Sequence, residues 1–565
     1  MRTHPDTLLH WLDEPAAERG LHFAQPGDDW DFRPYTELAH ESLRFAGACV
    51  GRRVPPGGIV VLVQRCSPTF VAGMFGAVAA GATVCPIAPP FAYQRADDYE
   101  RHLGHTLAVA RPELIVADED ALDHVRPVAE RLGLAAPVSH KELVTAVDPL
   151  PAPRPAAETA LVQFTSGSSG WSRGVRIAPA ALEANVAAMR RWLLWEPADP
   201  GINWLPVHHD MGLIGGLMNI MLNRCDGWML QPDDFIRDPR RYLACISDHG
   251  ARISPMPNFG LAYILRRVRP QHLEGLRFDS LRAIVVGAER VDPSVLTAFH
   301  ALLGPFGLDR RALVPAYGAA EATLAITGVP VTEGWTAALP DGASPQTGAL
   351  VGCGRPLEGV SVRVVDEENQ PVGDGVIGEI VVGAPSLASG YLGEAGTASG
   401  TSVGGGVLRT GDAGFWRDGQ LFVLGRLGDG LKVRGRMVFA ESLEARMVEL
   451  GIPERRVAVL LGARAGRPTG AVVLAAPEPG WPQIAHRVLA EHLEDADLVQ
   501  VAVPRGGLAV TSSGKPRRRV LWKALCDGTL AGETGPLHAP DPAVADPGVA
   551  DRPAADLAAP APLRP

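Results

Sequence analysis

Short, nearly continuous apolar runs constrain this chain most strongly. "ALVQF" at 160–164, "ARISPM" at 251–256 and "LRAIVVG" at 281–287 show no in-and-out alternation. Strands of that kind are covered on both faces, as in parallel sheets flanked by helices. Longer stretches of helical period separate the runs, so the predicted class is α/β with buried sheets. From residue 361 the texture changes to short strands broken by turn signals, as in "VSVRVVDEENQPVGDGVIGEIVVG" and "GQLFVLGRLGD". This predicts a smaller β-rich unit, followed beyond Asp429 by a compact α+β segment. Residues 531–565 hold eight prolines and ten alanines with no aromatic residue. Such a composition buries too little to fold, so a disordered tail is expected there. The boundaries read from the sequence are 1–428, 429–530 and 531–565, with 148–158 as an exposed connection inside the first.

At 565 residues the chain is too long for a single core. Its 53 basic and 63 acidic residues leave a net charge of −10, which argues against a nucleic-acid partner. Seven cysteines lie scattered with no CxxC pair, which indicates neither a zinc site nor a disulfide framework and fits a reducing cytoplasm. The N-terminal "MRTHPDTLLHWLDEP" has no signal-peptide core. One charge-free run, "FVAGMFGAVAAGATVCPIAPPFA" from Phe70, is cut by prolines at 86, 89 and 90. That leaves about 15 helical residues where a bilayer needs about 20, so no membrane span is expected. A helix buried on all sides, followed by a strand, is the expectation.

"WLPVHHDMGLIGG" at 204–216 sets two histidines and an aspartate together. On a strand, His208 and His209 would point to opposite faces and could not share a metal. The acyltransferase pattern HHxxxDG is absent because Asp210 follows directly. A histidine satisfied within the core is the plain alternative to a substrate-orienting one. "FDSL" at 278–281 faintly resembles a carrier-protein attachment serine, but it leads straight into the strand "RAIVVG" and reads as a structural turn. "FTSGSSGWSRGV" at 164–175 puts three glycines and five Ser/Thr residues after the strand "ALVQ". Exposed N–H groups and hydroxyls of this kind can wrap a polyphosphate. The GxxxxGKS/T spacing is absent, so it is not a Walker A loop. By composition alone a solvated turn is as good a reading.

The loop resembles the T-S-G-S/T-S/T-G-x-P-K-G phosphate loop of the acyl-adenylate-forming superfamily, and companion motifs follow in order over residues 8–530. "YGAAEATL" (317–324) resembles the nucleotide and magnesium motif and "RTGDAGFW" (409–416) the ribose motif. "GRLGDGLKVRGR" (425–436) resembles the interdomain hinge, and "TSSGKPRRR" (511–519) the catalytic-lysine loop. Within the superfamily the chain is most similar to the fatty acyl-AMP ligases, whose habit is W-L-P-x-x-H-D-M-G-L-I-G followed by P-N-F, G-A-E, Y-G-x-A-E-A-T-L and C-G-x-P. These stand here at 204–215, 257–259, 287–289, 317–324 and 353–356.

The resemblance implies a large N-terminal domain of stacked αβ subdomains with a small β-rich subdomain, then a small mobile α+β C-terminal domain. It implies activation of a fatty or related acid as acyl-AMP, with ATP and Mg²⁺ as cofactors and a separate acyl carrier protein as acceptor. Lys515, His209 and Glu321 are the implied catalytic residues: Lys515 as a mobile point charge, His209 beside the activated carboxylate, Glu321 as the metal ligand. Thr165, Ser166, Gly167, Ser168 and Gly170 would cradle the β- and γ-phosphates, with Arg173 supplying nearby charge. Asp412 and Arg426 would hold the ribose, and Gly287, Ala288, Glu289, Tyr317 and Gly318 would frame the adenine. Three departures stand out. Ser172-Arg173 replaces the family's Pro-Lys, Gly428 occupies a hinge position usually taken by Asp or Lys, and the interval 323–353 is short. That interval ordinarily carries the insertion credited with disfavouring coenzyme A. The rival readings are an acyl-CoA ligase and a non-catalytic acyl-adenylate-binding protein. Retention of Glu321, Asp412, Arg426 and Lys515 argues against the second.

Overall fold

The computed structural model describes residues 7–90, 96–165, 172–341, 349–393, 400–433, 436–464, 467–493, 496–511 and 514–537. The chain divides into two compact units, one built on Met1–Gly428 and the other running from Asp429.

The charge-free run forms the helix Pro68–Ala79 and the strand Thr83–Pro86. Ser67 starts the helix, its Oγ accepting from the Phe70 N–H at 3.1 Å, and Pro68 takes the first position, where no donor is needed. Every residue from Phe70 to Ala79 is buried, as the absence of charge predicts. The helix Tyr35–Gly51 packs against it. A Cβ on Gly76 would lie 2.5 Å from the Ser42 carbonyl oxygen, so glycine is what lets the two backbones approach. Phe45 and Phe75 are fully buried in this layer, each contributing about 1.5–3 kcal/mol relative to exposure. Among the described residues no helix is long and apolar enough to cross a membrane.

Two sheets share this helical layer. The nine-stranded sheet runs Arg355–Pro356, Ala325–Gly328, Leu313–Gly318, Ala283–Gly287, Ile253–Pro257, Gly201–Asn203, Gly227–Met229, Gly20–Ala24, Trp30–Pro34. Its pairings are parallel from Leu313–Gly318 through Gly20–Ala24. The seven-stranded sheet runs Gly390–Tyr391, Gly174–Ile177, Leu161–Phe164, Thr83–Pro86, Ile59–Val63, Leu114–Ala117, Val138–Ser139. One hydrophobic cluster takes Leu21 and Met229 from the first sheet, Val60 and Val84 from the second, and Phe45, Phe75 and Leu182 from the helices between. The β-rich part expected from residue 361 is a five-stranded antiparallel sheet of Ser361–Val365, Gly378–Gly383, Ser402–Gly404, Val407–Arg417 and Gln420–Arg426. The "FDSL" segment is a structural turn: Phe278 is fully buried and Ser280 Oγ donates to the Ala251 carbonyl at 3.2 Å.

The second unit has a four-stranded sheet of Val457–Arg464, Arg467–Ala475, Asp497–Val503 and Glu533–Pro536, with helices Ala440–Glu449, Trp481–His492 and Arg518–Cys526. Its last strand corrects the expected tail. Glu533–Pro536 pairs antiparallel with Asp497–Val503, and Leu537 is buried in the unit's core. A Pro/Ala-rich average taken from residue 531 conceals this short strand. Residues 538–565 lie outside those described. Gly428 sits in a single 3-10 turn, Leu427–Asp429, whose backbone angles are open to any residue.

Candidate functional site

Parallel strands gather loops at their C-terminal ends. Gly201–Asn203, Ile253–Pro257, Ala283–Gly287 and Leu313–Gly318 end on one edge of the nine-stranded sheet, leading to His208–His209, Asn258, Ala288–Glu289 and Ala319–Glu321 respectively. Ala288 holds a left-handed φ of 66°. The side chain of Glu289, expected at the adenine, turns to the helix Asn258–Arg267 and accepts from the Phe259 N–H at 2.6 Å, a favourable place for a carboxylate. Gly318 admits the Leu324 carbonyl oxygen, which would stand 2.0 Å from an added Cβ.

Glu321 follows in a 3-10 turn, Ala320–Ala322, and is 5% exposed. Thr323 closes this turn with φ 71°, a costly angle for a β-branched residue, and its Oγ1 donates to the Ser386 carbonyl at 2.7 Å. Arg173 Nη2 lies 3.3 Å from Glu321 Oε1, and the Tyr391 hydroxyl donates to the same oxygen at 2.8 Å. At the ends of the phosphate loop, the Thr165 N–H donates to the Arg173 carbonyl at 3.0 Å. Ser166, Gly167, Ser168 and Gly170 lie outside the described residues.

Asp412 and Arg426 face each other on neighbouring strands, Nε to Oδ1 at 2.9 Å. The Tyr317 hydroxyl donates to Asp412 Oδ2 at 2.5 Å. Burial, then the adjoining carboxylate, raises the Tyr317 phenol well above its ordinary value, so it remains a donor. Thr401 joins the two groups. Its carbonyl accepts from Arg173 Nη1 at 3.4 Å and its hydroxyl accepts from Arg426 Nη1 at 2.8 Å. Thr401 and Tyr391 belong to none of the motifs read from the sequence.

The histidine pair requires a correction. The strand ends at Asn203, and His208 and His209 stand in the turn before the π-helix Met211–Met218, with ring centroids 4.9 Å apart. Asn203 forces the early exit: its Oδ1 accepts from the Leu205 N–H at 3.1 Å and its Nδ2 donates to the Gly212 carbonyl at 3.1 Å. Both residues therefore border one small cavity, together with His102, Thr106, Thr165 and Ser172. Burial, then the neighbouring His209 and His102, holds His208 well below its usual pKa. His102 and His105 come from the helix Ala96–Ala110, and His105 Nε2 donates to the Ser172 carbonyl at 3.2 Å. Nothing in that helix's sequence signals a site.

Lys515 belongs to the second unit, exposed in the segment between the bridged residues Val510 and Pro516. The basic run around it is not a uniformly solvated surface. Arg518 is 8% exposed and pairs with Glu444 at 2.6 Å, Asp429 at 3.2 Å and Glu441 at 3.3 Å.

The sequence profile of the family described as AMP-binding enzyme matches residues 12–392. A Mycobacterium tuberculosis relative named long-chain-fatty-acid–AMP ligase FadD26 is 30% identical, over 82% of this chain and 86% of its own. A Caulobacter vibrioides relative named as an acyl-CoA synthetase is 28% identical, over 78% of this chain and 82% of its own. A structure solved in studies of fatty acyl-adenylate ligases from E. coli and L. pneumophila superposes with a TM-score of 0.83 at 26% identity, covering 92% of this chain and 98% of that one. The chain belongs to the AMP-binding, acyl-adenylate-forming enzymes, and within them to the fatty acyl-AMP ligase branch. It is an adenylate-forming ligase.

Proposed function

We propose that the protein activates a fatty or related carboxylic acid with ATP as acyl-AMP, then passes the acyl group to the phosphopantetheine thiol of a separate acyl carrier protein. In the first step a carboxylate oxygen attacks the α-phosphorus and the bond to pyrophosphate breaks. The acid is already ionised at pH 7, so no general base is needed. The obstacle is the approach of two anions, which calls for positive charge and fixed orientation. In the second step the thiol attacks the acyl carbon, AMP leaves and the thiol proton passes to solvent.

The observation that carries this reading is the bridge at Thr401, where Arg173 from the phosphate-loop end and Arg426 from the ribose motif meet. Asp412, held by Tyr317 and Arg426, takes the ribose hydroxyls. Gly287, Ala288, Tyr317 and Gly318 border the adenine, and Thr165 with the loop residues Ser166, Gly167, Ser168 and Gly170 takes the phosphates. His209 orients the substrate carboxylate, and Lys515 supplies a point charge. A single buried carboxylate, Glu321, suits Mg²⁺, which takes one or two protein carboxylates and completes its shell with phosphates and water. Bound there, Mg²⁺ would neutralise phosphate charge. Met1–Gly428 is the adenylate-forming domain, and the unit from Asp429 is its mobile lid. Seven free cysteines, six of them buried, suit a reducing cytoplasm.

The short interval 323–353 favours a second reading, transfer to coenzyme A. Only the hairpin Ala337–Ala338 with Leu350–Val351 is described there between Gly328 and Cys353. An acid-dependent pyrophosphate-exchange screen tests the first step: exchange with fatty acids of a defined length range is expected. Exchange with no acid at all would refute the reading.

A further inference from the structure

The acid that the proposed function gives to the metal already has a cation on it. Glu321 is buried, and its Oε1 receives both Arg173 Nη2 at 3.3 Å and the Tyr391 hydroxyl at 2.8 Å. The Arg173 guanidinium carbon also lies 4.0 Å from the centroid of the Tyr391 ring. Pairing with the acid and stacking on the ring together hold the guanidinium in one place. Tyr391 is fixed in turn, because Gly390–Tyr391 pairs with Gly174–Ile177, the strand that Arg173 leads into. The clamp is therefore built from three side chains on two paired strands and the turn beside them.

We propose that Arg173 is the resident counter-cation of Glu321, excluding divalent metal from the nucleotide-free site until the phosphates of ATP draw it away. The inference rests on Glu321 being the metal residue of the proposed function. A guanidinium and a dication cannot share one carboxylate oxygen without strong repulsion in a buried setting. A buried carboxylate stripped of its arginine would be left uncompensated, so the pair holds until another cation is ready to replace it. Guanidinium binds phosphate oxygens through paired hydrogen bonds, which makes the triphosphate a competitor for Arg173. Its transfer from acid to phosphate opens Glu321 as the metal arrives with the nucleotide. Metal entry thereby depends on ATP, and free Mg²⁺ does not pre-load the enzyme.

The test uses Mn²⁺ as probe, followed by electron paramagnetic resonance on the full chain without nucleotide. Arg173→Met is expected to bind Mn²⁺ at least about tenfold more tightly than the wild type. The double variant Arg173→Met/Glu321→Gln is expected to lose that gain. Unchanged or weaker binding by Arg173→Met overturns the proposal, as does a gain that survives in the double variant. If Arg173→Met does not fold, Arg173→Gln serves instead. It removes the charge but keeps a polar side chain beside Glu321, and a failure to tighten Mn²⁺ binding overturns the proposal equally. The ternary complex with ATP separates the two claims. If Glu321→Gln weakens Mn²⁺ binding there while Arg173→Met brings no gain in the free enzyme, only the exclusion by Arg173 fails. If Glu321→Gln has no effect with ATP present, Glu321 is not the metal residue and both claims fall.

Discussion

Arg426 stands directly across the β-ladder from Asp412, its Nε 2.9 Å from Oδ1, and the same guanidinium reaches Thr401 Oγ1 at 2.8 Å. Asp412→Ala removes an acceptor that Arg426 and Tyr317 share. Hydrogen bonds to a charged group contribute about 1.5–3 kcal/mol. The expected result is ATP affinity roughly tenfold to a hundredfold weaker by calorimetry, with the fold retained. Unchanged affinity would remove Asp412 from the nucleotide site.

Lys515 is exposed, so Lys515→Ala should leave thermal unfolding unchanged. Losing a charge positioned for the transition state typically costs ~10²–10³ in rate. Pyrophosphate exchange should fall by that factor. Exchange at the wild-type rate would place the catalytic charge elsewhere.

His140 provides a pH handle remote from the chemistry. It is 8% exposed, stacks on Phe45 at 5.7 Å, and burial lowers its pKa from 6.5 to about 4. The unfolded chain takes up this proton first as pH falls, so stability is full above about 6.5 and is lost progressively toward pH 4. The shift corresponds to about 3 kcal/mol. His140→Phe keeps the stacking and should flatten that part of the stability–pH curve in denaturant titrations. An unchanged slope would show that His140 takes up its proton as readily in the folded protein as in the unfolded chain.

The terminal strand distinguishes two truncations. Ending the chain at Leu530 removes Glu533–Pro536 from the edge of the sheet and Leu537 from the core. Burial of one leucine alone is worth about 1.5–3 kcal/mol. Calorimetry should show the second unit melting several degrees lower. A chain ending at Leu537 should melt as the full chain does, and equal melting of both truncations would deny the strand a stabilising role.

The sheets, and the motif residues that the fold brings together, are legible because the relevant signals are local. An apolar run makes a buried strand wherever it lies, and Tyr317, Glu321, Asp412 and Arg426 each sit inside a contiguous motif. What escaped depends on side chains brought together from distant segments. Thr401 and Tyr391 look like ordinary loop and strand residues until the fold sets them against Arg173 and Arg426. Arg518 lies in a run of like charges that gives no hint of a buried partner, and its acids Asp429, Glu441 and Glu444 come from the far end of the same unit. His208 and His209 read as strand residues because the apolar run continues through them. The polar side chain of Asn203, bonded to the Leu205 N–H and the Gly212 carbonyl, ends the strand first.

The proposed activity is acyl-AMP formation followed by delivery to a carrier protein. The most direct measurement incubates enzyme, ATP, Mg²⁺ and a cognate acid with either coenzyme A or a panel of holo-carrier proteins, and follows thioester products by mass spectrometry. Acyl-AMP is expected to persist with coenzyme A and to be consumed by a carrier. Rapid acyl-CoA formation with no carrier acylated across the panel would contradict the proposal.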